Sequence, residues 1–249
     1  MTQSKPVIGI IGGSGLDDPK ILLKPRQKEV DTPYGKPSSI LTEGEIKGKR
    51  VVILARHGKQ HSVPPSLVPY RANIWALRSA GCTHILATTA CGSLQESMKP
   101  GDLVFLDQFI DFTKQRKSTF FEDNVVHTPM AQPFDLKLRQ LLINCAKQLK
   151  LSYHPAGTIV TIEGPRFSTK AESLMYRLWG ADLINMSTVP EVVLANELQI
   201  PYQAIAMVTD YDCWRENEES VTFELILKRM KDNSQKVKNL LIRAVEKLV

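Results

Sequence analysis

Short apolar runs rich in Val and Ile recur along the chain, at residues 7–11, 51–55, 84–88, 103–110, 158–162, 183–186 and 203–208. Continuous apolar runs of this length, without polar alternation, predict strands buried on both faces. Between them the period changes to three and four. Leu67, Tyr70, Ile74 and Leu77 form one helical stripe, which Gly81 stops. Leu138, Leu141, Leu142, Cys145 and Leu149 form a second, with Asp135 placed as its N-cap. Residues 171–179 and 191–198 predict shorter helices, the latter with Pro190 at a first helical position. From 222 to 249 the pattern is helical, with a break predicted at Asp232-Asn233-Ser234.

Alternating strands and helices predict an α/β fold: one domain over residues 1–249, with a central, mixed but largely parallel sheet flanked by helices. In such sheets ligands bind beyond the carboxyl ends of the strands. Polar and Gly-rich stretches fall there: Gly12-Gly13-Ser14-Gly15, Arg56-His57-Gly58, Thr89-Ala90 and Thr209-Asp210. Four strand ends are therefore expected to converge on one site.

Composition narrows the partners. The chain has 249 residues, enough for a self-sufficient core. Its net charge is +6, but the Lys and Arg are scattered, with no run of five like charges. That speaks against a nucleic-acid partner, while a mild positive field suits a small anionic substrate. The four Cys form no C-x-x-C pair and match no zinc spacing, so reduced thiols and no metal site are expected. No 18-residue apolar run is present to span a membrane, and the apolar stretch before Gly12 is too short for a signal peptide. A cytoplasmic protein is expected, and a nuclear location is compatible. Asn185-Met186-Ser187 matches a glycosylation sequon, which in this setting reads as accidental.

Several segments carry candidate chemistry, each with a plainer alternative. The turn from Gly12 to Gly15 can present backbone N–H groups to an anion, or simply be a tight turn. It is neither a dinucleotide fingerprint nor a P-loop. Arg56 and His57 end a buried strand, with His61 four residues on. Arg can grip phosphate through two parallel hydrogen bonds, although an isolated Arg-His pair is more often surface decoration. Thr88-Thr89-Ala90-Cys91-Gly92-Ser93 could hold phosphate or form a capped turn. Phe167, after Gly164-Pro165, could stack on a purine or belong to the core. Asp210 and Asp212 follow the last apolar run; either a desolvated carboxyl serves as general acid, or both are turn aspartates.

Gly-Ile-Ile-Gly-Gly-Ser-Gly-Leu-Asp, Leu-Ala-Arg-His-Gly, Thr-Thr-Ala-Cys-Gly-Ser-Leu, Glu-Gly-Pro-Arg-Phe-Ser, Asn-Met-Ser-Thr-Val-Pro-Glu and Thr-Asp-Tyr-Asp-Cys-Trp occur here in order. Together they closely resemble the methylthioadenosine phosphorylases of the trimeric purine nucleoside phosphorylase family, over residues 7 to about 241. The resemblance implies a nine-stranded α/β fold, a homotrimer, inorganic phosphate as co-substrate, and no metal or organic cofactor. It implies that Ser14, Arg56, His57, Thr89, Ala90 and Ser187 surround phosphate. It places His61 and Met186 at the ribose, and Phe167, Ser168, Thr209, Asp210 and Asp212 at the base. Val221, Phe223, Ile226 and Leu227 would line the pocket for the 5′ substituent, with His127 reaching in from a neighbouring subunit. The implied reaction is phosphorolysis of 5′-methylthioadenosine to adenine and 5-methylthioribose 1-phosphate, in purine and methionine salvage. A broader adenosine or methylthioinosine phosphorylase is the alternative, followed by a non-catalytic purine-binding module. Asp210 stands where 6-oxopurine enzymes of the family carry Asn, which favours adenine, since a carboxylate can accept from its 6-amino group.

The chain departs from the family pattern in several places. Ser14 and Ser187 replace the Thr of many relatives, and Phe223 a smaller aliphatic residue. The segment between Phe121 and His127 is shorter than in relatives. Relatives continue past the position of Val249 into a helix that helps close a neighbour's pocket.

Overall fold

Along the last predicted strand the side chains alternate. Ala204, Ala206 and Val208 enter one apolar cluster, Ile205 and Met207 another, and all are buried. Such a strand is covered on both faces, which is why its apolar run is unbroken. The computed structural model describes residues 5–12, 21–216 and 222–248. In chain order its elements are β1 (Ile8–Gly12), β2 (Leu23–Lys28), β3 (Leu41–Ile46), β4 (Lys49–Ala55), α1 (Tyr70–Ser79), β5 (His84–Ser93), β6 (Leu103–Phe105), β7 (Gln108–Phe112), α2 (Leu136–Gln148), β8 (Tyr153–His154), β9 (Thr158–Ile162), α3 (Lys170–Leu178), β10 (Leu183–Asn185), α4 (Glu191–Glu197), β11 (Tyr202–Asp210) and α5 (Phe223–Lys247).

The strands form one mixed, mostly parallel sheet, ordered β2-β3-β4-β1-β5-β10-β9-β7. β11 branches off β5, β6 pairs with β11, and β8 pairs with β6. The branch point is β5. It runs parallel to β1 and β11, while its last residues, Gly92 and Ser93, pair antiparallel with Ile184 and Leu183 of β10. On one face Ile74 and Leu77 of α1 and Val192 and Leu194 of α4 pack against Ile11, Leu54, Ile85 and Val208. On the other, Leu138 and Leu142 of α2 and Val237, Leu240 and Leu241 of α5 pack against Ile8, Ile10, Leu86 and Ile205. Among the described residues no helix is long and apolar enough to cross a membrane. The cysteines are free thiols, with Cys82, Cys91 and Cys145 buried and Cys213 half-buried.

The structure corrects several local expectations. The resemblance implied nine strands, and eleven strand segments are described. The apolar run 103–110 accounts for part of this, because it splits at Leu106-Asp107 into β6 and β7. Asp107 accepts from the Gly157 N–H at 3.0 Å and pairs with Arg139 at 3.1 Å, so it serves a turn rather than a ladder. The first helical stripe begins at Tyr70, not Leu67. Pro69 precedes it, and Leu67 ends a separate single turn, exposed. Pro190 caps α4 rather than opening it. The predicted break at 232–234 is absent. α5 is continuous there, with Asn233 buried and Ser234 donating to the Lys231 carbonyl at 2.8 Å. A Ser satisfied by its own helix backbone need not end it. The Asp135 cap is as expected, accepting from the Leu138 N–H at 2.8 Å.

Candidate active site

A cavity of about 480 Å³ opens where β4, β5, β9, β10 and β11 end, within the range of small-molecule sites. The residues after β4 bring Arg56, His57 and His61 to it, and β5 brings Thr89, Ala90 and Gly92. The turn after β9 brings Phe167 and Ser168; the turn after β10 brings Met186 and Ser187; β11 and its exit bring Thr209, Asp210 and Asp212. Ile226, Leu227 and Met230 of α5 make an apolar wall.

At one end stands Arg56, 1% exposed. Its Nε and Nη2 donate to the two carboxylate oxygens of Glu191, both at 2.8 Å, and Nη1 donates to the Thr88 carbonyl at 2.7 Å. Glu191 is fully buried and also accepts from the Tyr202 hydroxyl at 2.7 Å. The sequence predicts that the two-pronged edge of Arg56 grips phosphate, but that edge is occupied by Glu191. Of the five guanidinium N–H groups, one on each Nη remains for an anion. Burial alone would lower the Arg56 pKa, but the charge of Glu191 reverses this and holds the guanidinium protonated.

His57 lies 2.9 Å from the Val63 carbonyl through Nδ1. A carbonyl only accepts, so Nδ1 carries the proton and Nε2 is an acceptor. Burial first, then the Arg56 charge, lower its pKa to about 3, so His57 is neutral at physiological pH. Its ring stacks on His61 at 4.3 Å. The Thr89 hydroxyl meets the Ser187 hydroxyl at 2.9 Å and accepts from Asn185 Nδ2 at 2.9 Å. Asn185 also donates to Thr188 and accepts from Thr161, so one buried amide sets the orientation of the hydroxyls around it. Neutral hydroxyls, a neutral imidazole and two N–H groups thus converge on one spot.

At the other end, Asp210 is 8% exposed. Its Oδ1 accepts from the Asp212 N–H at 2.8 Å, and its Oδ2 lies 2.7 Å from the Thr209 hydroxyl. That hydroxyl is also 3.1 Å from the Cys91 carbonyl. Either protonation state is therefore satisfied. An ionised Asp210 accepts from Thr209, while a protonated one donates to Thr209, which turns its own proton to Cys91. Burial pushes the Asp210 pKa up to about 6 against the two hydrogen bonds, with the Asp212 charge adding to the rise. Asp212 has a positive φ of 51° and accepts from Ser168 at 3.1 and 3.2 Å. The turn-aspartate alternative is thus half right. Asp210 does bond the backbone two residues on, but it also faces the cavity.

Two glycines make room. A Cβ on Gly92 would stand 2.9 Å from Asp210 Oδ1 and 3.1 Å from Ile184 Cγ2. Gly164, with φ 66°, would place a Cβ 2.5 Å from the sulfur of Met186. Arg116 braces the backbone beside the cavity, donating to the carbonyls of Glu163 at 2.7 Å and Val189 at 2.6 Å.

Of the residues expected from the sequence, Ser14 and Val221 lie outside the described residues, as does the side chain of Phe223. His127 is exposed and away from the cavity of its own chain. Phe167 stands at the mouth, 38% exposed, rather than in the core. The remaining residues named for the site all line it. Tyr202 and Met230 fall in none of the motifs, and Glu191, Asn185 and Gly92 stand inside motifs without an individual role assigned to them. Each is a buried residue of ordinary type, and only the partners shown by the fold mark it. Among the described residues no group of three His, Cys, Asp or Glu converges as a metal ligand set.

A family model described as the Phosphorylase superfamily matches residues 7–246. The chain is similar to an S-methyl-5′-thioadenosine phosphorylase of Xenopus tropicalis, at 56% identity, covering 97% of this chain and 88% of the relative. It is similar to the solved structure of a methylthioadenosine phosphorylase from Schistosoma mansoni in complex with adenine. There the TM-score is 0.94 and the identity 46%, over 97% of this chain and 91% of the other. A mutant adenosine/methylthioadenosine phosphorylase of that organism in complex with methylthioadenosine matches with TM-score 0.91 and 44% identity, at the same coverage.

Proposed function

The chain belongs to the phosphorylase superfamily, and we propose that it cleaves 5′-methylthioadenosine with inorganic phosphate, releasing adenine and 5-methylthioribose 1-phosphate. The observation that carries this reading is the Asp210 carboxyl, held near pKa 6 in the same cavity as Arg56, His57 and Thr89. A carboxyl poised near neutrality can give a proton to a departing purine.

The N9–C1′ bond breaks first, its electron pair leaving with the base and positive charge gathering on the ribose. Asp210 delivers its proton to N7. A phosphate oxygen lone pair then forms the new bond to C1′ from the opposite face. The proton that hydrogen phosphate sheds on becoming an ester goes to solvent, from which Asp210 regains its own. The polar end formed by Arg56, His57, Thr89, Ala90 and Ser187 receives the phosphate, with Ser14 assigned there by resemblance. Phosphate and nucleoside held in line gain several kcal/mol from positioning. Asp210 accepts from the 6-amino group when ionised and donates when protonated, which favours adenine over 6-oxopurines. The wall of Ile226, Leu227 and Met230 suits an apolar methylthio group better than a 5′-hydroxyl.

The reaction as written needs phosphate and no other cofactor. In a homotrimer, the exposed His127 would serve a neighbour's site. The protein would then act as a cytoplasmic enzyme of purine and methionine salvage. Turnover of methylthioadenosine, adenosine and inosine with and without phosphate tests the reading. Phosphate-dependent release of adenine, fastest from methylthioadenosine, is expected. Release independent of phosphate, or fastest turnover of inosine, would overturn it.

A further inference from the structure

At the phosphate end Arg56 and Glu191 are joined edge to edge, and Arg116, whose charge also reaches His57, is paired with Glu163 at 3.2 Å. Glu191 lines no part of the cavity and so touches no substrate. It sits beneath Arg56, fully buried, and is itself held by Tyr202. Burying a carboxylate in that place is costly unless it serves a partner. An arginine meant only to attract phosphate would be stronger without it.

We infer that Glu191 is a positioning and charge-balancing residue, which aims Arg56 through its Nε–Nη2 edge and cancels its charge. The inference rests on the phosphorolysis proposed above. Phosphate then enters a site with donors but no net positive charge. His57 adds none, since its proton sits on Nδ1 toward Val63 and its Nε2 only accepts. The dianion is held by geometry, and its own charge stays available to the ribosyl cation that forms as the base leaves. That attraction exists only once the glycosidic bond has loosened, so it lowers the barrier rather than deepening the ground state. A site with a free arginine would bind phosphate more tightly and use it less well.

This separates from a scaffold role by the direction of two constants. Glu191→Gln keeps one oxygen acceptor for the guanidinium but removes the balancing charge. The expected result is a fall in the phosphate KM with a fall of roughly tenfold or more in kcat, about what an unbalanced single charge gives. Sulfate, an unreactive dianion, should bind the variant more tightly by a similar factor. A rise in phosphate KM with kcat unchanged would mean that Glu191 only supports Arg56, and would overturn the inference. The wild-type enzyme gives a reading that does not depend on the variant folding. Its phosphate KM should change less than about twofold as ionic strength rises across the range where exposed charges are screened. A steep rise in KM with salt would also overturn it. Absence of phosphate-dependent adenine release by the wild type would instead remove the proposed function beneath it.

Discussion

The carboxylate of Asp210 stands against the bare α-carbon of Gly92, where even one added methyl would lie 2.9 Å from Oδ1. Ile184 closes the same space from the other side. The hydrogen bonds from Thr209 and Asp212 leave the carboxyl little room to retreat. Gly92→Ala is expected to fold, because Gly92 lies within β5 and has no positive φ, yet to lower kcat by about ten- to a hundredfold through a misplaced general acid. The phosphate KM should stay within about twofold, since Thr89 and Arg56 are untouched. Steady-state kinetics with each substrate varied checks this. An unchanged kcat would mean that the carboxyl position is not limiting.

Asp210 also sets a pH dependence. Its pKa rises from 3.8 to about 6 on folding, so the folded chain holds this proton more tightly than the unfolded one. Below pH 3.8 the group contributes nothing against folding. As pH rises from 3.8 to about 6 stability falls, by about 3 kcal/mol for a shift of this size. Activity carried by the protonated acid should show a limb in kcat/KM for the nucleoside that declines above pH about 6. Asp210→Asn should abolish that limb, lower kcat on adenine nucleosides by roughly 100- to 10,000-fold, and shift preference toward 6-oxopurines. Profiles at saturating phosphate measure all three effects.

Asn185 joins Thr161, Thr188 and Thr89 through one buried amide. Asn185→Ala should leave the Thr89 and Ser187 hydroxyls unfixed and raise the phosphate KM by roughly five- to a hundredfold, the equivalent of 1–3 kcal/mol. The nucleoside KM should move much less. Equal changes in both would mark general loosening of the loop instead.

Arg56→Ala removes one half of a buried pair and strands the other. A loss of about 3–5 kcal/mol in unfolding free energy is expected alongside the rise in phosphate KM. Arg56→Ala combined with Glu191→Gln should regain part of that stability without regaining phosphate affinity. Denaturant titration and kinetics on the pair of variants read the two effects separately.

Much of this site was visible in the chain because strand ends announce themselves. An unbroken apolar run that stops at Arg56 or at Asp210 leaves a polar residue at a strand's carboxyl end, whereas Thr89, expected at such an end, lies inside β5, which runs on to Ser93. The positions that stayed hidden have a common physical cause. Glu191 looks like a surface residue in sequence, Asn185 falls within an apolar run that does not show what it bonds, and their roles depend on partners 135 and 96 residues away. β2, Leu-Lys-Pro-Arg-Gln-Lys, is mostly exposed at the sheet edge and carries no apolar signature. The polar stretch in α5 suggested a break, but nothing in it opposes helical dihedrals as Pro would.

The forked strand β5 has a further consequence. Thr89, at the end proposed for phosphate, and Gly92, beside Asp210, are three residues apart on it, and β11 runs alongside, pairing Ala206 with Thr89 and, past a register shift, Asp210 with Gly92. Three residues of extended chain span about 10 Å. In the proposed reaction nucleophile and leaving group would therefore be set apart by the pitch of one central strand, a ruler written in covalent bonds. No hinge lies between them, so substrates of different reach must be accommodated at the α5 wall and not along the line of displacement.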